Sequence, residues 1–160
     1  MAQYLKTVEV PVIKYRLSDI AHIRCIHWSG CELIFDIVML SVRLNEYRNY
    51  LSLNDKMYIA NEDGTDKLYL LRADSIPVSP SAIYSRFFPE PILMKLYFPL
   101  PPKSVNFIDL IEHEGEYSGA INFYGICLNN DLTGTFKPRW DIVCSIKQVR
   151  GDNFFKSTEY

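Results

Sequence analysis

The chain has 160 residues, a formal net charge of −2 and 48% hydrophobic residues. That balance excludes intrinsic disorder, which requires few apolar residues and strong net charge. It also argues against a nucleic-acid partner, because no basic field is available to meet a phosphate backbone.

Val8, Val10 and Val12 share one parity, and then Ile13, Tyr15 and Leu17 take over the apolar phase against Lys14 and Arg16. Period two predicts a strand, and the slip predicts a bulge or an edge. Pro11 suits an edge, where its missing N–H costs no ladder bond. Ile23–Trp28 reads as a second strand, followed by a Ser29-Gly30 turn. Glu32–Leu40 is apolar on both parities, interrupted by Asp36, which predicts a strand covered on both faces. Tyr47–Ile59 is mixed and predicts one or two strands. Asn61–Asp66 is a polar loop between Met57–Ala60 and Leu68–Leu71, a hairpin signal with Gly64 suited to positive φ. Four prolines within residues 76–91 predict a connection rather than an element.

Ile92, Met94, Leu96 and Phe98 then alternate with Lys95 and Tyr97, the clearest strand in the chain, ended by Pro99, Pro101 and Pro102. Ser104–Glu112 fits either a strand or a helical turn. Ala120–Leu128 and Trp140–Val149 read as strands, the second with Trp140, Ile142, Cys144 and Ile146 on one face. Leu33, Phe35, Met94, Leu96, Phe98, Ile142 and Ile146 are the expected core. Seven to nine short strands and no long helix predict an all-β, antiparallel sandwich or barrel, and aromatic residues at 14% suit such a pleated surface. The expected organisation is a single β-sandwich domain over residues 1–150 and a polar tail over residues 151–160.

A chain of this length buries about 70% of its unfolded surface, so it is expected to fold without a metal or a disulfide. No apolar run approaches about 18 residues, so no membrane insertion is expected. Met1–Lys6 lacks the basic and apolar regions of a signal peptide. With Met1 as the native start the expected location is the cytoplasm; a removed leader is the alternative. The four cysteines, Cys25, Cys31, Cys127 and Cys144, read as free buried thiols.

Several groupings bear chemistry-capable side chains. His22, Cys25, His27 and Cys31 are zinc-ligand types, and Cys25 and His27 would share a strand face. No Cys-x-x-Cys knuckle accompanies them, so ordinary strand roles are expected and no metal or cofactor is assigned. His113 lies in Glu112-His-Glu-Gly-Glu116, read as an exposed acidic loop. Its alternating Glu112, Glu114 and Glu116 lack the loop pattern of a dedicated calcium site. No Gly-x-Ser-x-Gly elbow or phosphate loop occurs, and no catalytic residue is assigned. Arg150-Gly-Asp152 reads as a turn after the last strand. Arg43–Tyr50 is rich in Tyr, Arg and Asn, the types that binding surfaces favour. Tyr47, Arg48 and Tyr50 are therefore the candidate partner-binding residues.

Four stretches carry a resemblance: Ile59–Pro80, Met94-Lys-Leu-Tyr-Phe-Pro-Leu-Pro-Pro102, Phe107-Ile-Asp-Leu-Ile-Glu112 and Asn122-Phe-Tyr-Gly-Ile-Cys-Leu128. Their order resembles small immunoglobulin-like β-sandwich domains that occur as accessory modules N-terminal to thioredoxin-like domains. The resemblance spans roughly Ile23 to Leu128. It implies an immunoglobulin-like sandwich with a non-enzymatic role. The 160 residues hold no Cys-x-x-Cys motif, so redox activity does not carry over, and they continue past the resemblance through Trp140–Val149. The leading expectation is a module that binds or positions a protein partner. A carbohydrate-binding module using exposed aromatics is the alternative, and a small Cys/His enzyme is a third.

Overall fold

The computed structural model describes residues 3–16, 18, 21–40, 42–43, 50–85, 87–115 and 120–129. Tyr47, Arg48, Glu116, the strand expected at Trp140–Val149 with Ile142, Cys144 and Ile146, the Arg150-Gly-Asp152 tripeptide and the tail lie outside those residues.

The N-terminal pattern becomes two strands, β1 (Lys6–Glu9) and β2 (Ile13–Arg16). β3 (Ala21–Trp28) and β4 (Glu32–Met39) form a hairpin whose turn is closed by Ser29 N–H donating to the Glu32 carbonyl at 2.9 Å. β5 (Val42–Arg43) and β6 (Tyr50–Leu51) are two residues each. β7 (Tyr58–Asn61) and β8 (Leu68–Tyr69) flank the polar loop, with Gly64 at φ 83° as its position in the turn requires. β9 (Arg72–Asp74) follows, and β10 (Ile83–Tyr84) and β11 (Phe87–Phe88) are again two residues each. β12 (Ile92–Pro99), β13 (Phe107–Ile111) and β14 (Asn122–Cys127) complete the described set.

These strands build two five-stranded antiparallel sheets. One has the order β1-β3-β4-β12-β9, the other β2-β14-β13-β7-β8. Their inner faces share one core. Leu33, Phe35, Ile37, Met94, Leu96 and Phe98 come from the first sheet, and Ile59, Ile108, Leu110, Phe123 and Ile126 from the second. Phe35 and Phe98 meet edge to face, with centroids 5.6 Å apart. The described residues thus form an all-β antiparallel sandwich. The expected core residues Leu33, Phe35, Met94, Leu96 and Phe98 are all buried.

The phase slip read between Val12 and Ile13 accompanies a change of sheet. Val10 N–H still donates to Arg24 in the first sheet, while the Val12 carbonyl accepts from Cys127 in the second. Between them Val10 takes φ 45°, outside the strand region, so the chain turns from one layer to the other. The same event recurs at the far edge. Leu70 N–H donates to Met57 in the second sheet and Leu71 N–H to Tyr97 in the first.

Other expectations are corrected. Residues 76–91 carry the short strands β10 and β11, which pair with β6 and β5 as two separate ribbons. Two-residue pairings leave no periodicity to read between prolines. The ambiguous Ser104–Glu112 contains a strand, β13. β4 is covered fully on one face only: Asp36 and Val38 on its outer face are half-buried, because that face carries polar groups. Cys127 is a buried free thiol, but Cys25 is half-buried and Cys31 is exposed, the latter because it sits in the β3–β4 turn.

Candidate functional site

A β-bulge decides which side chains reach the outer face of the first sheet. The β3–β4 register shifts between Ile23 and Cys25. The extra residue, Arg24, lets Ile23 and Ile26 both face the core and turns Cys25 and His27 outward. Asp36 lies opposite Cys25 and Lys95 opposite Asp36, while Thr7 lies opposite His27. Four neighbouring strands thereby bring these five side chains to one patch.

Four of the five side chains form one bonded chain, Thr7–His27–Asp36–Lys95. Thr7 Oγ1 is 2.9 Å from His27 Nδ1, and His27 Nε2 is 2.9 Å from Asp36 Oδ2. Lys95 Nζ donates to Asp36 Oδ1 at 2.6 Å. The Tyr4 ring stacks on the His27 imidazole with centroids 4.0 Å apart. Burial alone would raise the Asp36 carboxyl, but the hydrogen bonds and charges of Lys95 and His27 outweigh it and hold it below the ordinary carboxylate value. Burial likewise opposes the charge on Lys95, and its bond to Asp36 reverses that and raises it. Burial, followed by the charge of Asp36, pushes the Cys25 thiol up.

An ionised carboxylate only accepts, so His27 donates from Nε2 to Asp36; in the tautomer that carries only this proton, Nδ1 accepts from the Thr7 hydroxyl. The sequence hydroxyl–imidazole–carboxylate has the connectivity of a nucleophile relay. Acyl transfer also needs N–H donors aimed at the developing oxyanion. Here the sheet's backbone N–H groups lie in the plane of the ladder and not above the face on which Thr7 stands.

Beside this patch, β12 and β9 continue the outer polar face. Tyr97 donates its hydroxyl to Asp74 Oδ2 at 2.7 Å, and burial together with that bond pushes its phenol up to about 12. Arg72 covers the Tyr97 ring at 3.9 Å and pairs with Glu32 through both its terminal nitrogens.

The structure brings together only part of the His/Cys grouping read from sequence. Cys25 and His27 join the patch. His22 instead pairs with Arg16 Nη1 at 3.0 Å near the other end of β3, where burial and the Arg16 charge lower its pKa. Cys31 stays in its turn. Asp36, Thr7 and Lys95 were not singled out as site residues from sequence. Asp36 had a signal there, as the one charge within Leu33–Leu40, whereas Thr7 and Lys95 depend on register alone.

The acidic segment read as an exposed loop is partly buried. Glu112 is 4% exposed. Its Oε1 accepts from Ile121 N–H at 2.8 Å and its Oε2 from Asn54 N–H at 3.2 Å, so it serves the backbone of two neighbouring segments. His113 is half-buried against Asn54, and Glu114 accepts from the Tyr58 hydroxyl at 2.8 Å.

Of the expected partner-binding residues, Tyr50 is described, at 41% exposed on β6 opposite Tyr84 of β10. Their rings stand 6.2 Å apart. Tyr84 is 76% exposed and Ile83 47%, so both faces of β10 present large apolar groups. Phe87, three residues further along the chain on β11, is 46% exposed.

No family model, curated protein or solved structure matches this chain.

Acid stability provides a test of the patch. Because the Asp36 carboxyl is depressed in the folded state, its contribution is complete above its ordinary value of 3.8 and is lost as pH falls through the lower folded value. Asp36→Asn is expected to flatten that acid limb in urea titrations across the same range. An unchanged limb would show that the Lys95–Asp36–His27 contacts do not carry the acid sensitivity.

Proposed function

We propose that the chain is a non-enzymatic module that binds or positions a protein partner, an accessory domain of the immunoglobulin-like kind that its sequence resembles. The observation that supports this reading is the β6–β10 ribbon, where Ile83 and Tyr84 point to opposite sides and both are exposed. Large exposed apolar groups clustered on a ribbon outside the two main sheets are the features by which interaction sites stand out from ordinary surface. Tyrosine adds contact area at low entropic cost and a hydroxyl that bonds a partner. Tyr50 belongs to the same surface, and Tyr47 and Arg48 precede it closely in the chain.

The carbohydrate alternative draws support from Trp28, which lines a cleft with Leu5, Leu100, Pro101 and Val105. However, the Lys6 ammonium lies 4.4 Å from the centre of that indole ring and is itself tied to the Leu128 carbonyl and Asn129 Oδ1. A sugar stacking on that face would have to displace it, which favours a protein ligand.

The double variant Ile83→Ser, Tyr84→Ala is expected to change unfolding free energy by no more than about 0.5 kcal/mol, as exposed substitutions do. Its affinity for partners captured by the unaltered protein should fall by about 2 kcal/mol or more, roughly 30-fold. Capture followed by mass spectrometry and titration of the recovered partner measures this, with a glycan array in parallel. Undiminished affinity in a folded double variant would remove the ribbon from the interface, and selective glycan binding would favour the alternative.

A further inference from the structure

Among the described residues, Cys25, His27 and Asp36 form the one group of three metal-ligating side chains whose donor atoms all lie within 4.8 Å of one another. We infer that these three side chains form a binding site for a single divalent transition cation of the zinc class, on the outer face of the first sheet. The donor set is thiolate, imidazole and carboxylate, all ordinary zinc ligands. Tetrahedral bonds of about 2.0–2.3 Å place ligand atoms about 3.3–3.8 Å apart. The present spacing reaches that range by small side-chain rotations, with His27 Nε2 and Asp36 Oδ2 moving apart from 2.9 Å to admit the ion.

The surroundings support each ligand. A metal-bound imidazole characteristically donates its other ring N–H to a neighbouring acceptor. Thr7 Oγ1 stands 2.9 Å from His27 Nδ1 in that position. A hydroxyl both donates and accepts, so Thr7 satisfies Nδ1 in either tautomer. Tyr4 stacked on the imidazole fixes the ring plane. Lys95 occupies Asp36 Oδ1 and leaves Oδ2 toward the cluster. Glu9 stands opposite Cys25 in the ladder, where its charge disfavours a bare thiolate and favours a cation beside it. Three protein ligands on an open face leave the fourth position to solvent.

The proton balance is simple. The Cys25 thiol releases its proton to solvent as the metal–sulfur bond forms. His27 binds through Nε2 with one ring proton kept on Nδ1, and any further ring proton leaves to solvent. The site lies on the outer face of the first sheet, and its three ligands are not members of the shared apolar core.

Titration of the purified, metal-stripped and reduced protein with Co²⁺ tests the site. One ion per chain is expected, with a near-ultraviolet thiolate-to-cobalt band and the visible bands of tetrahedral cobalt, all displaced by Zn²⁺. Cys25→Ser should abolish the thiolate band, and Asp36→Asn should weaken binding. Cys31→Ser should leave the titration unchanged. Thr7→Val, which removes only the partner of Nδ1, should weaken affinity by about 10- to 100-fold. Circular dichroism establishes that each variant is folded. Absence of a thiolate band in the unaltered protein, or its persistence in folded Cys25→Ser, would overturn the assignment.

Discussion

Leu96→Ala is expected to destabilise the protein by about 2–5 kcal/mol, from lost transfer free energy and the cavity left behind. Leu96 is fully buried between Phe35 of β4 and Ala73 of β9, its register neighbours on either side. Both flanking strands are held by long ladders or by the sheet change beside them, so the site has little freedom to collapse. Urea unfolding of the pair of proteins measures the loss. A change below about 1 kcal/mol would mean that the inner face of β12 is not closed by the opposing sheet.

Glu112→Gln is expected to cost nearly as much as Glu112→Ala, about 3 kcal/mol or more, although it preserves shape. The two carboxylate oxygens each accept a backbone N–H, from Ile121 and Asn54, and bonds to a charged acceptor contribute roughly 1.5–3 kcal/mol each. A glutamine has one oxygen and one NH₂ group, so one of the two N–H donors must face another donor. Asn122 reinforces the arrangement: its Oδ1 accepts from Glu112 N–H at 2.8 Å and its Nδ2 donates to the His113 carbonyl at 2.8 Å. Chemical denaturation of both variants at neutral pH checks the prediction. A near-neutral Glu112→Gln would mean that solvent supplies the missing acceptor.

The contrast between Leu96 and Glu112 shows where the sequence was legible. Alternation over Ile92–Phe98 reports burial directly, because the sheet period is two and one face meets the core. Glu112 carries no such signal. Its neighbours His113, Glu114 and Glu116 suggest solvent, while its partners lie 58 positions before it in Asn54 and 9 after it in Ile121. The candidate metal cluster fails to read out for a related reason. Cys25 and His27 are visible as a pair, but strict alternation would set them on the same side as Ile23. The bulge at Arg24 separates them, and only the β3–β4 and β1–β3 registers add Asp36 and Thr7. Period counting likewise passes over β10 and β11, whose two-residue pairings depend on partners at positions 50–51 and 42–43.

The two changes of sheet have a mechanical consequence. At one flank β1 runs into β2 through Val10–Val12, and at the other β8 runs into β9 through Leu70 and Leu71. Each flank is hemmed by continuous backbone anchored in both layers, so the layers cannot part like the covers of a book. To slide them apart, ladder bonds must be sheared at both hems together, which resists force more strongly than unzipping one bond at a time. Among the described residues, the strands at the sheet borders have four residues or fewer. So short a border offers poor footing for a foreign strand, one of the devices by which β proteins discourage edge-to-edge polymerisation.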